Sequence, residues 1–210
     1  MEVPGVPDVP PPCPRHPGGP ERRIILDLCG GTGAWSVPYF QAGYDVRLIT
    51  LPEFDVREYM PPLNVHGILM APPCDHFSVS GAQYWKAKDL DGRTEEAVSI
   101  VRHCLRILRI STPCWWVLEN PVGRLKVLVP ELLPYRVGFV QPYQYGDPYT
   151  KKTELFGQFT LPLTHNAVEP IRTCSQGSWV QRLGGKSENT KRLRSITPPG
   201  FAQAFYEANP

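Results

Sequence analysis

Several features that define other classes of protein are missing from this sequence. No apolar run in the 210-residue chain approaches the roughly 18 residues of a membrane span. The start has no basic segment followed by an apolar one, so we expect no secretory signal. Six cysteines are scattered without a CxxC pair, which argues against a structural zinc site. These absences predict a soluble, cytoplasmic monomer with no membrane or metal partner.

Proline is the residue that the chain has in excess. Eight of its 25 prolines lie in the first twenty residues, where no apolar periodicity is present. Because proline fixes φ and interrupts helices, we predict a disordered, partly polyproline II leader over residues 1–22. The chain as a whole is 41% hydrophobic, and its length fits one domain with a small appendage.

Short apolar runs alternate with a helical pattern along the first half of the chain. Between the third and fourth runs, apolar residues of 94–110 recur at helical spacing, and Thr94 is a candidate N-cap. Runs that are apolar on both faces are typical of parallel strands covered on both sides. We therefore predict an α/β fold with a doubly wound, Rossmann-like sheet, followed after about residue 140 by short β-like pieces such as TELFGQF. The four runs are IILDL (24–28), VRLITL (46–51), HGILMA (66–71) and WWVLEN (115–120).

The first run leads into a glycine-rich turn, DLCGGTGAW. This turn lacks the Gly-x-Gly-x-x-Gly spacing of dinucleotide sites and the Lys-Ser/Thr ending of a P-loop. Asp27, inside the strand end, suits a ligand with a positive charge, and S-adenosylmethionine carries both an ammonium and a sulfonium. After the second run, Asp55 could accept from an adenine amino group or could be an ordinary turn residue.

Two reactive side chains follow the third and fourth runs. Cys74 is carried out of the strand by two prolines, in APPCDHFSVSG, where a packing cysteine is not expected. Adjacent residues rarely point at one ion, so we do not expect the Cys74-Asp75-His76 triplet to bind a metal. Glu119 follows a continuous apolar run, which favours a role in chemistry, although it could instead cap a helix that begins at Pro121.

The net charge of +2 is unevenly distributed. Residues 151–194 hold eight Lys or Arg against three Glu, a local charge of +5. Such a segment predicts a surface that faces a polyanion, although an ordinary solvated face would look the same.

Taken in order, five segments resemble the successive motifs of the cytosine-C5 DNA methyltransferase family, in particular its compact bacteriophage-type members with a minimal target-recognition region. The resemblance runs from about residue 24 to 206, and its specific part is a Pro-Cys pair and a Glu-Asn pair, each at the end of its own strand. If the chain is phage-encoded, it would act in the cytoplasm of a bacterial host cell. The segments are DLCGGTGAWS, APPCDHFSVSG, ENP, YGDPYTKKTELFG and RSITPPGFAQAF.

The resemblance implies covalent chemistry on cytosine. C5 of cytosine is a poor nucleophile, so a thiolate adds to C6 and makes C5 enamine-like. Cys74 would supply the thiolate, and Glu119 would protonate N3 as negative charge develops there. Lys151 stands at the first arginine position of the family's Gln-x-Arg-x-Arg element, although it could be a plain solvated lysine.

The resemblance also implies residues that bind the cofactor and the substrate. Cys29 stands where the family usually has a phenylalanine against the adenine, a contact for which Trp35 could compensate, and Thr153 replaces the second arginine of the basic element. The implied S-adenosylmethionine contacts are Asp27, Cys29, Gly30, Gly31, Gly33, Trp35, Asp55 and Pro72. The predicted DNA contacts in the motifs are Pro73, Ser78, Asn120, Pro121 and Thr153. The composition of residues 158–194 adds Arg182, Lys191, Arg192 and Arg194 as phosphate contacts, with Trp179 beside them.

These motifs divide the chain into a catalytic domain (23–157), a minimal target-recognition insert (158–194) and a segment that returns to the catalytic domain (195–210). The insert is too short for a core of its own, so we predict a short target. Its Trp179 could stack on a base or pack the insert against the body. RNA or a free deoxycytidine nucleotide remain alternative substrates, and a catalytically idle nucleic-acid-binding homologue is an alternative of another class.

Overall fold

The computed structural model describes residues 22–162, 164, 166–175, 177–183 and 187–210. Its centre is a six-stranded sheet in the order β2-β1-β3-β4-β6-β5. Strands β1 to β4 are parallel, and β6 runs antiparallel between β4 and β5. The strands are β1 (Ile24–Leu28), β2 (Asp45–Ile49), β3 (Val65–Met70), β4 (Trp115–Pro121), β5 (Arg136–Val140) and β6 (Thr153–Gln158).

The four predicted strands therefore form, each with ends within two residues of the apolar run. The leader predicted for residues 1–22 lies, except for Arg22, outside the described residues. The described helices are α1 (Val37–Gln41), α2 (Trp85–Leu90), α3 (Arg93–Ser111), α4 (Leu125–Leu128), α5 (Trp179–Arg182), α6 (Glu188–Ser195) and α7 (Pro199–Ala208). Short 3₁₀ helices cover Val79–Tyr84, Pro130–Tyr135 and Pro142–Tyr145.

Helices cover both faces of the sheet, which confirms the doubly wound, Rossmann-like α/β architecture. Alternate strand residues point to opposite faces, so Leu26 packs on one side with residues of α3, such as Val101. On the other side Ile25 packs with Trp35 and with Phe205 of α7. A Cβ at Gly67 would overlap the Trp115 ring, so this strand position admits the indole because it is glycine.

Helix α3 begins one residue before the predicted segment, and its N-cap differs from the prediction. Gly92, with φ +82°, occupies the cap position without a side-chain hydrogen bond. Thr94 instead lies buried inside the first turn, where its hydroxyl accepts a hydrogen bond from Arg124 at 2.9 Å. The prediction of a Thr94 cap was wrong because a left-handed residue is what turns the chain into the helix here.

The described residues of the insert form helix α5, most of α6 and one isolated bridge between Cys174 and Gly177, whereas the sequence predicts short strands or loop. After the insert, α7 packs against α1, where the ring centroids of Tyr39 and Tyr206 are 5.1 Å apart, and against Trp35, whose ring centroid is 5.9 Å from that of Phe201. Across the described ranges, no helix combines the length and apolar character needed to cross a membrane.

Candidate active site

The topology brings the reactive segments to one edge of the sheet. The chain leaves β1 for β2 on one side and returns to β3 on the other, so the carboxyl ends of β1 and β3 flank the point where the strand order reverses. Ligands of doubly wound sheets bind at this point. The glycine-rich turn follows β1, Cys74 follows β3, and Glu119 lies near the carboxyl end of β4, one strand further along.

Asp27 is a fully buried carboxyl at the end of β1. The Ser36 hydroxyl, just before α1, donates to its Oδ2 at 2.6 Å, while Oδ1 has no hydrogen-bond partner. Burial raises the pKa of Asp27 to about 6, against the Ser36 hydrogen bond, which lowers it. A half-satisfied buried carboxyl is costly, and an unpaired oxygen at a strand edge is ready to accept from a cationic ligand.

The glycine turn wraps closely around this carboxyl. A Cβ at Gly30 would overlap the Asp27 carboxylate, and Gly31 and Gly33 have φ values of +57° and +71°. Cys29 also has a positive φ, +57°. The turn therefore leaves a side-chain-free surface beside Asp27, as close approach by a ligand requires.

The side chain of Cys29 points toward the core. Its thiol hydrogen-bonds that of Cys104 in α3, and this contact, with burial, holds the pKa of the Cys104 thiol well above its usual value. Cys29 also packs against the cluster that contains Cys104. The backbone of Cys29 thus belongs to the glycine turn, while its side chain faces the core.

The structure also gives no support to two further predicted cofactor contacts, those of Trp35 and Asp55. Trp35 is only 1% exposed and packs edge-on against Phe205 at 5.5 Å, so it is a core residue and gives no support to the expected contact with adenine. The Asp55 carboxylate binds the Arg57 guanidinium and backbone N–H, and these hydrogen bonds lower its pKa. Asp55 also accepts two backbone hydrogen bonds at its carbonyl, from Glu58 and Tyr59, which favours the ordinary turn residue over the adenine contact.

Hydrogen bonds connect the turn that carries Cys74 to residues at and after the end of β4. The Asn120 side-chain amide donates to the backbone carbonyl of Pro72 at 3.3 Å. The backbone N–H of Val79 donates to Val122 at 3.1 Å, and Ser78 forms an isolated bridge with Gly123. These bonds join the Pro-Cys and Glu-Asn segments into one unit.

Gly123 and Arg124 also connect the Cys74 turn with the segment after β4. Neither residue stands out in the sequence. A Cβ at Gly123 would overlap the backbone carbonyl of Phe77, so only glycine allows the two loops to meet. The Arg124 guanidinium donates to the carbonyl of His76 at 3.1 Å and forms a two-pronged ion pair with Asp89 at 2.8 Å. In the sequence, these contacts could have been suspected from a glycine and an arginine soon after Glu-Asn-Pro.

Cys74, Glu119 and Lys151 are electrostatically coupled. Burial and then the negative charge of Glu119 raise the pKa of the Cys74 thiol, while Lys151 lowers it. Burial raises the pKa of Glu119, and Lys151 again acts in the opposite direction. Both side chains belong to partly exposed residues. A carboxyl of raised pKa and a thiol that both feel the charge of one cation therefore lie at this edge.

Lys151 is held in place by hydrogen bonds at both ends. Its backbone N–H donates to Oε1 of Gln141 at 3.0 Å, and its Nζ donates to the carbonyl of Ile196 at 3.1 Å. The Thr153 hydroxyl donates to the carbonyl of Lys151 at 3.0 Å. One cavity is lined by Glu119, Val140, Gln141, Pro142, Lys151, Thr153, Thr197, Pro198 and Phe201.

Thr153 is the predicted substrate residue that lines this cavity, and the other predicted contacts of the Cys74 turn and of β4 are not among its lining residues. Pro72 is buried, Pro73 is exposed, and the Ser78 hydroxyl lies 2.8 Å from that of Ser80. Pro121 ends β4, opposite Thr153 of β6. Within the described side chains, no cluster of His, Cys, Asp and Glu is arranged to hold a metal.

The insert contacts the segment that precedes Lys151. Ser178 is fully buried, and its Oγ accepts from the backbone N–H of Thr150 at 2.9 Å. Trp179 lies against Tyr149 with ring centroids 5.3 Å apart. The predicted phosphate contacts Arg182, Arg192 and Arg194 are exposed, while the side chain of Lys191 lies outside the described atoms.

No protein-family model and no curated protein matches the chain. Among solved structures, it is similar to a protein described as a DNA modification methyltransferase encoded within an E. coli prophage, at 18% identity over 64% of this chain and 46% of that one, with a TM-score of 0.45. It is also similar to the Entamoeba histolytica methyltransferase EhMeth, at 14% identity over 80% of this chain and 61% of that one, with a TM-score of 0.47.

A Thermoplasma acidophilum protein is similar at 13% identity over 64% of this chain and 77% of that one, with a TM-score of 0.38. The chain thus spans about half the length of the E. coli prophage protein and three fifths of EhMeth. At these identities and TM-scores the similarity assigns neither a family nor a substrate, and the functional assignment depends on the residues of the site.

Proposed function

We propose that this protein transfers a methyl group from S-adenosylmethionine to C5 of cytosine in DNA. The observation that carries the proposal is the set of hydrogen bonds that connects the Cys74 turn, after β3, with the chain at the end of β4. Asn120 holds the carbonyl of Pro72, so that Cys74 and Glu119 lie within electrostatic reach of each other and of Lys151. A thiol, a carboxyl with a raised pKa and a fixed cation are the groups that this reaction needs.

The glycine turn fits the cofactor. Asp27 has a buried oxygen without a partner, and the turn that covers its carboxylate carries no side chain at Gly30, Gly31 and Gly33. Asp27 and the turn of Gly30, Gly31 and Gly33 would hold the cationic methionine part, with Pro72, the backbone of Cys29 and the loop of Asp55 nearby. When bound, S-adenosylmethionine supplies an electrophilic methyl group.

Glu119 and Cys74 divide the work on the pyrimidine. The Cys74 thiol transfers its proton to the Glu119 carboxylate, and the resulting thiolate bonds to C6. The proton on Glu119 then passes to N3 and neutralises the charge that develops on the ring. Once Glu119 is uncharged, it no longer raises the pKa of Cys74, so protonating the carboxyl favours the thiolate. After methyl transfer a base removes the proton from C5, the C6–S bond breaks, and the proton on N3 returns to Glu119.

Lys151 would keep this exchange electrically balanced. Its ammonium is anchored on the Ile196 carbonyl and lowers the pKa of both Cys74 and Glu119. One negative charge moves between thiol and carboxyl beside one fixed positive charge, which requires little reorganisation. Thr153, whose hydroxyl is engaged by the backbone, contributes shape to the pocket and no charge.

A mechanism-based substrate tests the proposal. DNA that contains 5-fluorodeoxycytidine cannot lose a proton from C5, so the covalent adduct accumulates. With S-adenosylmethionine present, we expect mass spectrometry to locate this adduct on Cys74. We expect Cys74→Ala to give none and Cys174→Ser, a change at another partly exposed free cysteine, to keep it.

The alternatives give different outcomes in the same experiment. Trapping by fluorinated RNA or fluorinated deoxycytidine monophosphate, but not by DNA, would assign the chemistry to those substrates. Binding of cofactor and DNA with no adduct would instead identify an idle nucleic-acid-binding protein. Methylcytosine in DNA from cells that express the wild type, but not Cys74→Ala, is the matching product measurement.

A further inference from the structure

Trp179 of the insert and Tyr149 of the main domain form an aromatic pair. Trp179 is 40% exposed and lies against Tyr149 with an interplanar angle of 54°, so part of the indole is open to solvent. Tyr149 is two residues before Lys151, which lines the cavity with Glu119. An exposed indole in this position is suited to stack on a planar ring.

Residues on both sides of Trp179 anchor the insert to the main domain. The neighbouring Ser178 and Val180 are the buried residues of this segment. Ser178 accepts from Thr150, and Gln181 donates to the Thr150 carbonyl at 2.8 Å. These bonds hold both sides of the Trp179 backbone, so the exposed ring is positioned by its neighbours and is free for contact.

The insert adds exposed positive charge to the same part of the chain. Its arginines Arg182, Arg192 and Arg194 are exposed and form no ion pair with a described carboxylate. Six arginines of the main domain, in contrast, have carboxylate partners: Arg47, Arg57, Arg93, Arg102, Arg124 and Arg136. Arg194 is also close enough to lower the pKa of Cys74. Exposed guanidiniums in a segment that also exposes an aromatic side chain are typical of a strand-binding surface.

We propose that Tyr149 and Trp179 stack on an unpaired base next to the target cytosine, and that the substrate is single-stranded DNA in preference to duplex. Bases within a duplex have both faces covered by their neighbours, so an exposed indole has a free face to meet only on an unstacked base. Arg182, Arg192 and Arg194 hold the phosphates of this strand. The proposal rests on the proposed function for the identity of the target base.

Binding without cofactor tests the platform separately from the chemistry. A labelled strand of about 12 nucleotides with one central cytosine is titrated against the protein, beside the same sequence as a duplex and deoxycytidine monophosphate. We expect the strand to bind more tightly than either competitor at the same salt. Trp179→Ala should weaken strand binding by about 5- to 100-fold, while Trp179→Phe retains part of it.

Phe40→Ala is the matched control, because Phe40 is 71% exposed on α1 and lies outside the insert. Its binding should equal that of the wild type. Equal affinity for duplex and strand, or wild-type affinity in Trp179→Ala, would overturn the proposal. If fluorinated DNA forms no adduct but strand binding still depends on Trp179, the platform stands and the methyl-transfer chemistry fails. If fluorinated DNA is trapped equally well by the wild type and Trp179→Ala, the chemistry stands and the platform fails.

Discussion

Ser36 donates a hydrogen bond of 2.6 Å to one oxygen of Asp27 and leaves the other oxygen buried and unpaired. The pair joins the end of β1 to the start of α1, directly behind the glycine turn. It keeps a carboxyl of raised pKa where a cationic ligand would meet it. The protein therefore carries an unfavourable charge in the core that a bound ligand would compensate.

Asp27→Asn is expected to stabilise the protein at neutral pH. The folded-state pKa of about 6 lies above the unfolded value of 3.8, so the folded state binds more protons between these values and stability falls as pH rises through them. The full cost is about 3 kcal/mol above the folded pKa. Urea denaturation should show the largest gain for Asp27→Asn near pH 8 and a smaller one at pH 5.

Ser36→Ala is the control of opposite sign, since it removes the hydrogen bond that lowers the pKa of Asp27. It should destabilise the protein at neutral pH. An Asp27→Asn gain that did not change between pH 5 and pH 8 would show that the carboxylate charge is not the source.

Glu119→Gln is expected to lower the pKa of the Cys74 thiol, because it removes a negative charge that raises it. Lys151→Met should have the opposite effect, since the ammonium lowers that pKa. The rate of iodoacetamide alkylation at Cys74, followed against pH by peptide mass spectrometry, measures both. The midpoint should move to lower pH in Glu119→Gln and to higher pH in Lys151→Met.

Alkylation of Cys174 in the same samples is an internal reference, because neither substitution contacts it. If the Cys74 profile were identical in all three proteins, the proposed coupling of thiol, carboxyl and ammonium would be absent.

Much of the sheet and the location of the site follow from the sequence. Strand runs such as IILDL are apolar on both faces, so their burial is fixed by composition alone, and polar residues at their ends mark the ligand edge. The sequence alone did not determine the roles of Trp35 and Asp55. Whether an aromatic ring faces a ligand or the core depends on where α7 packs, which is a long-range contact. The Asp55 carboxylate accepts a hydrogen bond from Arg57, two residues away. The local sequence allows this contact but does not require it.

The sequence also did not predict the contacts between the Cys74 turn and the chain after β4. Gly123 looks like any loop glycine until the carbonyl of Phe77 is placed against it. Ser178 contacts Thr150 across 28 residues of sequence, in a segment without periodicity. Such contacts depend on loop conformations, which apolar patterns do not specify.

Gly123→Ala is expected to separate the two loops. The added Cβ overlaps a backbone carbonyl, which cannot rotate away as a side chain can. The cost in the free energy of unfolding is about 2 kcal/mol or more. Gly81→Ala, in the 3₁₀ helix Val79–Tyr84 on the Cys74 side, is the matched control, since its Cβ would lie 3.4 Å from the carbonyl of Asp75.

Denaturant titration gives the stability of both variants, and Cys74 alkylation reports whether the turn has moved. We expect Gly123→Ala to lose stability and to alter the reactivity of Cys74, whereas Gly81→Ala changes both less. Equal stability of the two variants would mean that the close approach at Phe77 does not hold the loops together.

Cofactor binding is expected to release protons near pH 6. At that pH about half of the Asp27 carboxyls carry a proton in the free protein, since their pKa is about 6. An ammonium beside the unpaired oxygen favours the charged form and lowers this pKa, so about half a proton leaves on binding. Titration calorimetry in two buffers of different ionisation enthalpy measures this number directly. At pH 8 Asp27 is already ionised and the release should vanish. A binding heat independent of the buffer at pH 6 would mean that the cofactor's positive charge is not held by Asp27.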